Sequence, residues 1–137
     1  MSANMVKEQL MSLFRQKNFR YTDLGGAYLE VYMPGKAMDA VPCTLLIAAD
    51  GLTLIDVRCQ KLINFKEKQA NGLLACNQAN QQSTIARFYT NEQGEAIAQT
   101  QLVYGGSVAY AHALLMISLF ASDVDKNYSM LAKMRWA

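Results

Sequence analysis

Three cysteines and one histidine offer the most direct route to chemistry in this chain: Cys43, Cys59, Cys76 and His112. A thiol attacks as its thiolate, so a cysteine nucleophile needs a base held beside it. His112 lies in an alanine- and leucine-rich segment. A Cys76–His112 dyad is conceivable if two helices pack together, but a partly buried helical histidine bonded to solvent or backbone is the simpler reading. The cysteines are odd in number and lack a CxxC spacing, which argues against both a disulfide framework and a zinc site. They read as three reduced, mostly buried thiols. General acid–base work needs two carboxylates in one cleft. Asp56 falls on a strand, whereas Asp123 and Asp125 suit a helix surface or a kink. Gly25-Gly26 and Gly105-Gly106 lack the lysine or the strand-to-helix GxGxxG context of a phosphate loop and read as turn glycines. No catalytic residue, metal ligand or cofactor emerges, and the chain reads as a non-enzyme.

The stretch "GLLACNQANQQSTIARFY", from Gly72 to Tyr89, is different, because it places five amides at the end of an apolar helix. Ala70, Leu73, Leu74 and Asn77 follow at helical spacing and Asn80 comes three residues later, so Asn77 and Asn80 are expected to face the sheet. A buried amide left without partners costs about 1 to 3 kcal/mol, and the last turn of a helix has carbonyls to satisfy. Asn77 and Asn80 therefore read as a structural latch between helix and following strand, with ligand contact as the lesser alternative.

The elements that would hold these residues follow from periodicity. Val6, Leu10, Leu13 and Phe14 line one face of a first helix, with Lys7, Glu8 and Arg15 turned to water and Ser2 or Asn4 as cap. "AYLEVYM" alternates as a strand that Pro34-Gly35 stops. "TLLIAADGLTLIDV" carries Asp50-Gly51, which suits a two-residue hairpin turn. That register sets Ala49 opposite Leu52, Ile47 opposite Leu54 and Leu45 opposite Asp56, with Leu46 opposite Ile55 and Thr44 opposite Val57. Leu45, Ile47, Leu52 and Leu54 would then share one face, and Leu46 and Ile55 the other. Both faces are apolar near the turn, so the second is expected to need a cover: a second copy of the chain, the long C-terminal helix wrapping round, or an extended segment of another protein.

Asn64 with Glu67 reads as a variant capping box for a second helix from about Phe65 to about Gln81, despite Asn71-Gly72 within it. A second hairpin follows around Asn91 to Gly94. A last helix begins after Gly105-Gly106 with Ser107 as cap and continues almost to Trp136. The order is α-β-β-β-α-β-β-α, an α+β fold with a five-stranded antiparallel sheet and helices on one side.

The chain of 137 residues is 52% hydrophobic and 18% charged, with a formal charge of +2. That length supports one core, so residues 1–137 read as a single domain. Its 13 basic residues are scattered among 11 acidic ones without a basic run, which argues against nucleic acid as a partner. Lys7, Glu8 and Gln9 interrupt the place of a signal peptide's apolar stretch. The most hydrophobic segment, Val108 to Ala121, is shorter than the roughly 20 residues a spanning helix needs. A cytoplasmic protein is expected, without membrane insertion.

The element order, the "NQAN" holding Asn77 and Asn80, the strand carrying Phe88, the turn from Asn91 to Gly94 and the terminal "VDKNYSMLAKM" together resemble the YbjN family of bacterial sensory transduction regulators. The resemblance covers nearly the whole chain. It implies a fold similar to the type III secretion chaperones, and a cytoplasmic bacterial protein, often a homodimer, that contacts other proteins. Secretion chaperones are typically acidic, whereas this sequence has a pI near 8.4. A regulatory or chaperone-like protein-binding module is therefore expected; the alternative is a small-ligand binder or enzyme with a pocket between the middle helix and the sheet.

Overall fold

The computed structural model describes residues 2–50, 52–104 and 110–137. Its elements are α1 (Ala3–Gln16), β1 (Arg20–Gly25), β2 (Tyr28–Pro34), β3 (Ala40–Asp50), β4 (Leu52–Cys59), α2 (Gln69–Gln82), β5 (Arg87–Thr90), β6 (Ala96–Tyr104) and α3 (Tyr110–Trp136). The strands form one antiparallel sheet in the order β1-β2-β3-β4-β6-β5. It has six strands rather than the five expected, within the α+β class. The missed one is β1, an edge strand that is exposed at nearly every position and so carries no alternating apolar signal. The expected turn at Gly105-Gly106 and the Ser107 cap lie outside the described residues.

Ser2 caps α1, its hydroxyl accepting from the Met5 N–H at 3.2 Å. The helix ends where Asn18 takes a positive φ of 62° and the Phe19 N–H bonds back to the Phe14 carbonyl at 2.9 Å, a left-handed close that asparagine tolerates well. Val6, Leu10 and Phe14 are buried as expected, but Lys7 is buried too. Its ammonium pairs with the Asp23 carboxylate and donates to the Gly26 carbonyl at 2.8 Å, tying α1 to the β1–β2 turn. A long side chain at a helix edge can bury its stem when a fixed anion meets its head.

The β3–β4 register corrects the hairpin. Leu45 pairs with Val57, Leu46 with Asp56, Ile47 with Ile55, Ala48 with Leu54 and Asp50 with Leu52, one residue away from the two-residue-turn register. A one-residue slip exchanges the faces of one strand. The observed pairing puts Leu45, Ile47, Ile55 and Val57 together in the core, at about 1.5 to 3 kcal/mol for each aliphatic covered. The turn-defined pairing would have turned Asp56 inward with Leu45. Core burial outweighs turn preference here; Gly51 itself lies outside the described residues.

The inner face carries Leu29, Val31, Met33, Val41, Cys43, Leu45, Ile47, Ile55, Val57, Cys59, Ala98 and Leu102. Packed into the same core are Val6, Leu10 and Phe14 of α1 and Ile117, Phe120, Val124 and Leu131 of α3.

The second helix also differs. It starts at Gln69, not near Phe65, and Asn64 accepts from the Lys66 N–H at 2.7 Å in the preceding loop instead of capping it. Its buried residues are Gly72, Ala75, Cys76 and Ala79, while Leu73 and Leu74 are 62% and 59% exposed. Small residues let this helix approach closely: a Cβ at Gly72 would stand 2.9 Å from the Phe65 Cβ. Size, not hydrophobicity, sets the phase.

Candidate functional site

Where the sequence offered thiols and a histidine, the structure keeps them apart in character. Cys43, Cys59 and Cys76 are buried and free of disulfides, the Cys43 thiol donating to the Val41 carbonyl at 3.6 Å, and His112 is exposed near the start of α3. Burial pushes the Cys59 thiol up to about 12 and the Cys76 thiol up to about 11. Cys43 is raised well above its ordinary value, chiefly by burial and further by Cys59 and Glu30. Such thiols hold little thiolate at neutral pH. Among the described residues, no three of His, Cys, Asp and Glu converge where a metal ion could sit.

The amide pair divides. Asn80 donates through Nδ2 to the Phe88 carbonyl at 3.0 Å and accepts through Oδ1 from the Phe88 N–H at 2.6 Å, satisfying both backbone groups of one residue on β5. Asn77 is exposed, because the helix presents Gly72, Ala75, Cys76 and Ala79 to the core instead of the Leu73 and Leu74 row. Of the two asparagines expected to face the sheet, Asn80 makes the bonds to the strand and Asn77 points away from it. Ala75, Cys76 and Ala79 pack into the core, and a cavity of about 190 Å³ lies beside α2 among Phe65, Gln69, Leu73, Thr90, Asn91 and Glu92.

Two stronger clamps went unread in the sequence. Asp123 is buried in the middle of α3, and its carboxylate accepts from the N–H groups of Thr84, Ile85 and Ala86 at 2.7 to 3.0 Å. The turn between α2 and β5 is thereby wrapped around one anion. Asn127, one helical turn on, donates to the Asp123 carbonyl at 2.8 Å and to the Ser83 hydroxyl at 3.2 Å, and Ser83 in turn donates to the Ala79 carbonyl at 2.7 Å. Asp125 does the same for the β2–β3 loop, accepting from Lys36, Ala37 and Met38 N–H groups at 2.9 to 3.0 Å. Burial acts to raise the Asp125 carboxyl, but the three backbone bonds and the Lys36 charge outweigh it, and the net direction is down. Gly35 makes that loop possible, since a Cβ there would lie 2.4 Å from the Met38 carbonyl oxygen and 2.6 Å from an Asp125 oxygen. Aspartates in the interior of a long helix are a weak sign of such roles, because aspartate is a poor helix former unless its side chain has other work.

Opposite the helices lies the bare face of the sheet. Leu45 and Ile47, expected there with Leu54, are in the core, so those residues do not share a surface. Leu54 is on the outer face, and the Leu52 side chain lies outside what is described. Register sets Ala48, Leu54 and Val103 in one row and Tyr28, Leu46, Asp56 and Gln101 in the next. Tyr28, Leu54 and Val103 are 48%, 37% and 50% exposed, which makes an apolar strip toward one end of the face. Beyond it several polar groups are bonded to one another: Asp56 accepts from Arg58 at 2.7 Å and from Gln99 at 2.5 Å, Thr44 donates to Glu30 at 3.1 Å, and Tyr89 donates to Gln99 at 3.0 Å. Arg20 stacks over Tyr32 at 4.6 Å near the β1 edge. The face thus joins an apolar strip to a self-neutralised polar field, with one depression of about 130 Å³ among Tyr28, Thr44, Leu46, Asp56, Arg58 and Gln60.

The antiparallel sheet thus has one open face and, on the other, a helical layer held by carboxylate–backbone hydrogen bonds. The chain belongs to the YbjN family, whose description is "putative bacterial sensory transduction regulator" and which matches residues 36–133. The matched stretch starts at the loop that Asp125 holds and includes both carboxylate clamps and Asn80. No curated protein matches the chain. No helix among the described residues is long and apolar enough to cross a membrane.

Proposed function

We propose that this protein is a non-catalytic regulatory module that acts by binding protein segments on the open face of its sheet, and that two copies associate through the same face as a homodimer in the bacterial cytoplasm. The observation that supports this most is the apolar strip of Tyr28, Leu46, Leu54 and Val103, left uncovered by the chain's own helices. Each such side chain contributes about 1.5 to 3 kcal/mol when fully covered, so a second copy or a client strand gains substantially there. Arg58 and Asp56 neutralise one another within the chain, so a like copy meets little net charge at that place. The family's description as a regulator and the resemblance to secretion-chaperone folds point the same way. Capture from a bacterial lysate on immobilised protein tests the reading, with Val103→Lys as control and a thermal-shift screen of metabolites alongside. A protein captured by the wild type and lost with Val103→Lys supports it. Metabolite stabilisation that is indifferent to that substitution, with no captured protein, overturns it.

A further inference from the structure

Two of the three buried thiols face each other across neighbouring strands. Thr44 pairs with Arg58, so one step toward the strand ends brings Cys43 opposite Cys59, both on the inner face. Val31, which pairs with Cys43, and Ala98, which pairs with Cys59, flank them in the same row.

The kind of pairing sets their separation. In an antiparallel strand the N–H and C=O of one residue point to the same neighbour, and residues alternate between neighbours. Ile47 donates its N–H to the Ala27 carbonyl at 3.0 Å, on the β2 side. The odd-numbered residues of β3 therefore direct their backbone bonds to β2 and meet β4 as non-hydrogen-bonded pairs, the closer kind, with Cα atoms about 4.5 Å apart. Cβ atoms in such pairs come within about 4.5 to 5.5 Å, near the span of a disulfide. The ladder also stops here: β4 ends at Cys59, and Pro42 has no N–H to direct toward β4.

We propose that Cys43 and Cys59 are an oxidisable dithiol that closes to an intramolecular disulfide and locks β3 to β4 where their hydrogen bonding ends. With a hydroperoxide as oxidant, one cysteine thiolate attacks a peroxide oxygen and the O–O bond breaks. A sulfenic acid forms and the departing oxygen leaves as water or alcohol. The second thiolate then attacks the sulfenic sulfur, the S–S bond forms, and hydroxide leaves to take up a proton as water. The two thiols lose two hydrogens and two electrons, which reduce the peroxide. Because both groups are covered, opening of the strand end gates the rate, and the device is a slow lock, not a fast sensor.

Hydrogen peroxide, with and without urea below the unfolding transition, tests this on the full chain. The expected product is lighter by two hydrogen atoms, with a Cys43–Cys59 peptide in the map, Cys76 still open to alkylation, and a urea midpoint above that of the reduced protein. Cys43→Ser or Cys59→Ser should abolish it and Cys76→Ser should not. A bridge to Cys76, over-oxidation without a bridge, no bridge even in urea that exposes the thiols to alkylation, or a bridged protein with an unraised midpoint would each overturn the proposal.

Discussion

The two faces of one sheet are built from the same strands by opposite rules. Inside, every odd position of β3 and β4 from Val41 to Cys59 that the structure describes is buried or nearly so, and the helical layer above is fixed by carboxylates gripping backbone. Outside, apolar and polar residues mix, and Asp56, Arg58 and Gln99 are bonded to one another instead of to a covering element. A face that needs burial to exist is paired with one that stays folded without cover. Substitutions on the inner face should therefore act on folding, and those on the outer face only on association.

The same charge placed on each face should act very differently. Val57→Lys buries an unpaired ammonium and should cost roughly 4 kcal/mol or more in urea melts. Val103→Lys, half-exposed on the other side, should stay within about 0.5 kcal/mol. Similar losses from both would erase the distinction between faces.

Next in size is the central clamp. Asp123→Ala leaves the N–H groups of Thr84, Ile85 and Ala86 without their acceptor, and a loss of roughly 3 kcal/mol is expected from denaturant unfolding. Asn80→Leu should lower stability by about 1 to 3 kcal/mol by orphaning both backbone groups of Phe88, while Asn77→Leu should change little. Equal effects at the two asparagines would return the latch to both.

Smallest is the pH dependence of the second clamp. The Asp125 carboxyl lies below its ordinary 3.8 in the folded protein, so its contribution is present above that value and is lost as pH falls through the lowered one. The stability difference between wild type and Asp125→Asn should therefore shrink from about pH 5 down to about pH 2. A difference that grows on acidification contradicts the assigned direction.

What could be read from the sequence tracks whether a signal is local. The alternation of Leu29, Val31 and Met33, the helix of Val6, Leu10 and Phe14, and the Asn91–Gly94 turn, where Asn91 accepts from Gln93 and Glu95, are written within a few residues and appear where expected. The strand β1 is made by pairing to β2 alone, and its own residues do not announce it. The hairpin register depended on which neighbours buried Ile47 and Ile55, a tertiary fact that a turn dipeptide cannot carry. Asn80 was found because a terminal helix turn needs partners. Asp123 and Asp125 were not, because their acceptor roles reach loops nearly forty and ninety residues away in the chain. An uncovered face was expected from the apolar hairpin; of the named residues whose side chains are described, Leu45 and Ile47 are in the core and Leu54 is on the outer face, because the register differs by one residue.

Light scattering of the wild type against Leu54→Lys reads out whether the open face of the sheet joins two copies. The wild type should be a dimer at high protein concentration, and the variant a monomer with an unchanged urea midpoint. A wild type that stays monomeric at high concentration, or a variant that keeps the dimer, contradicts association through that face.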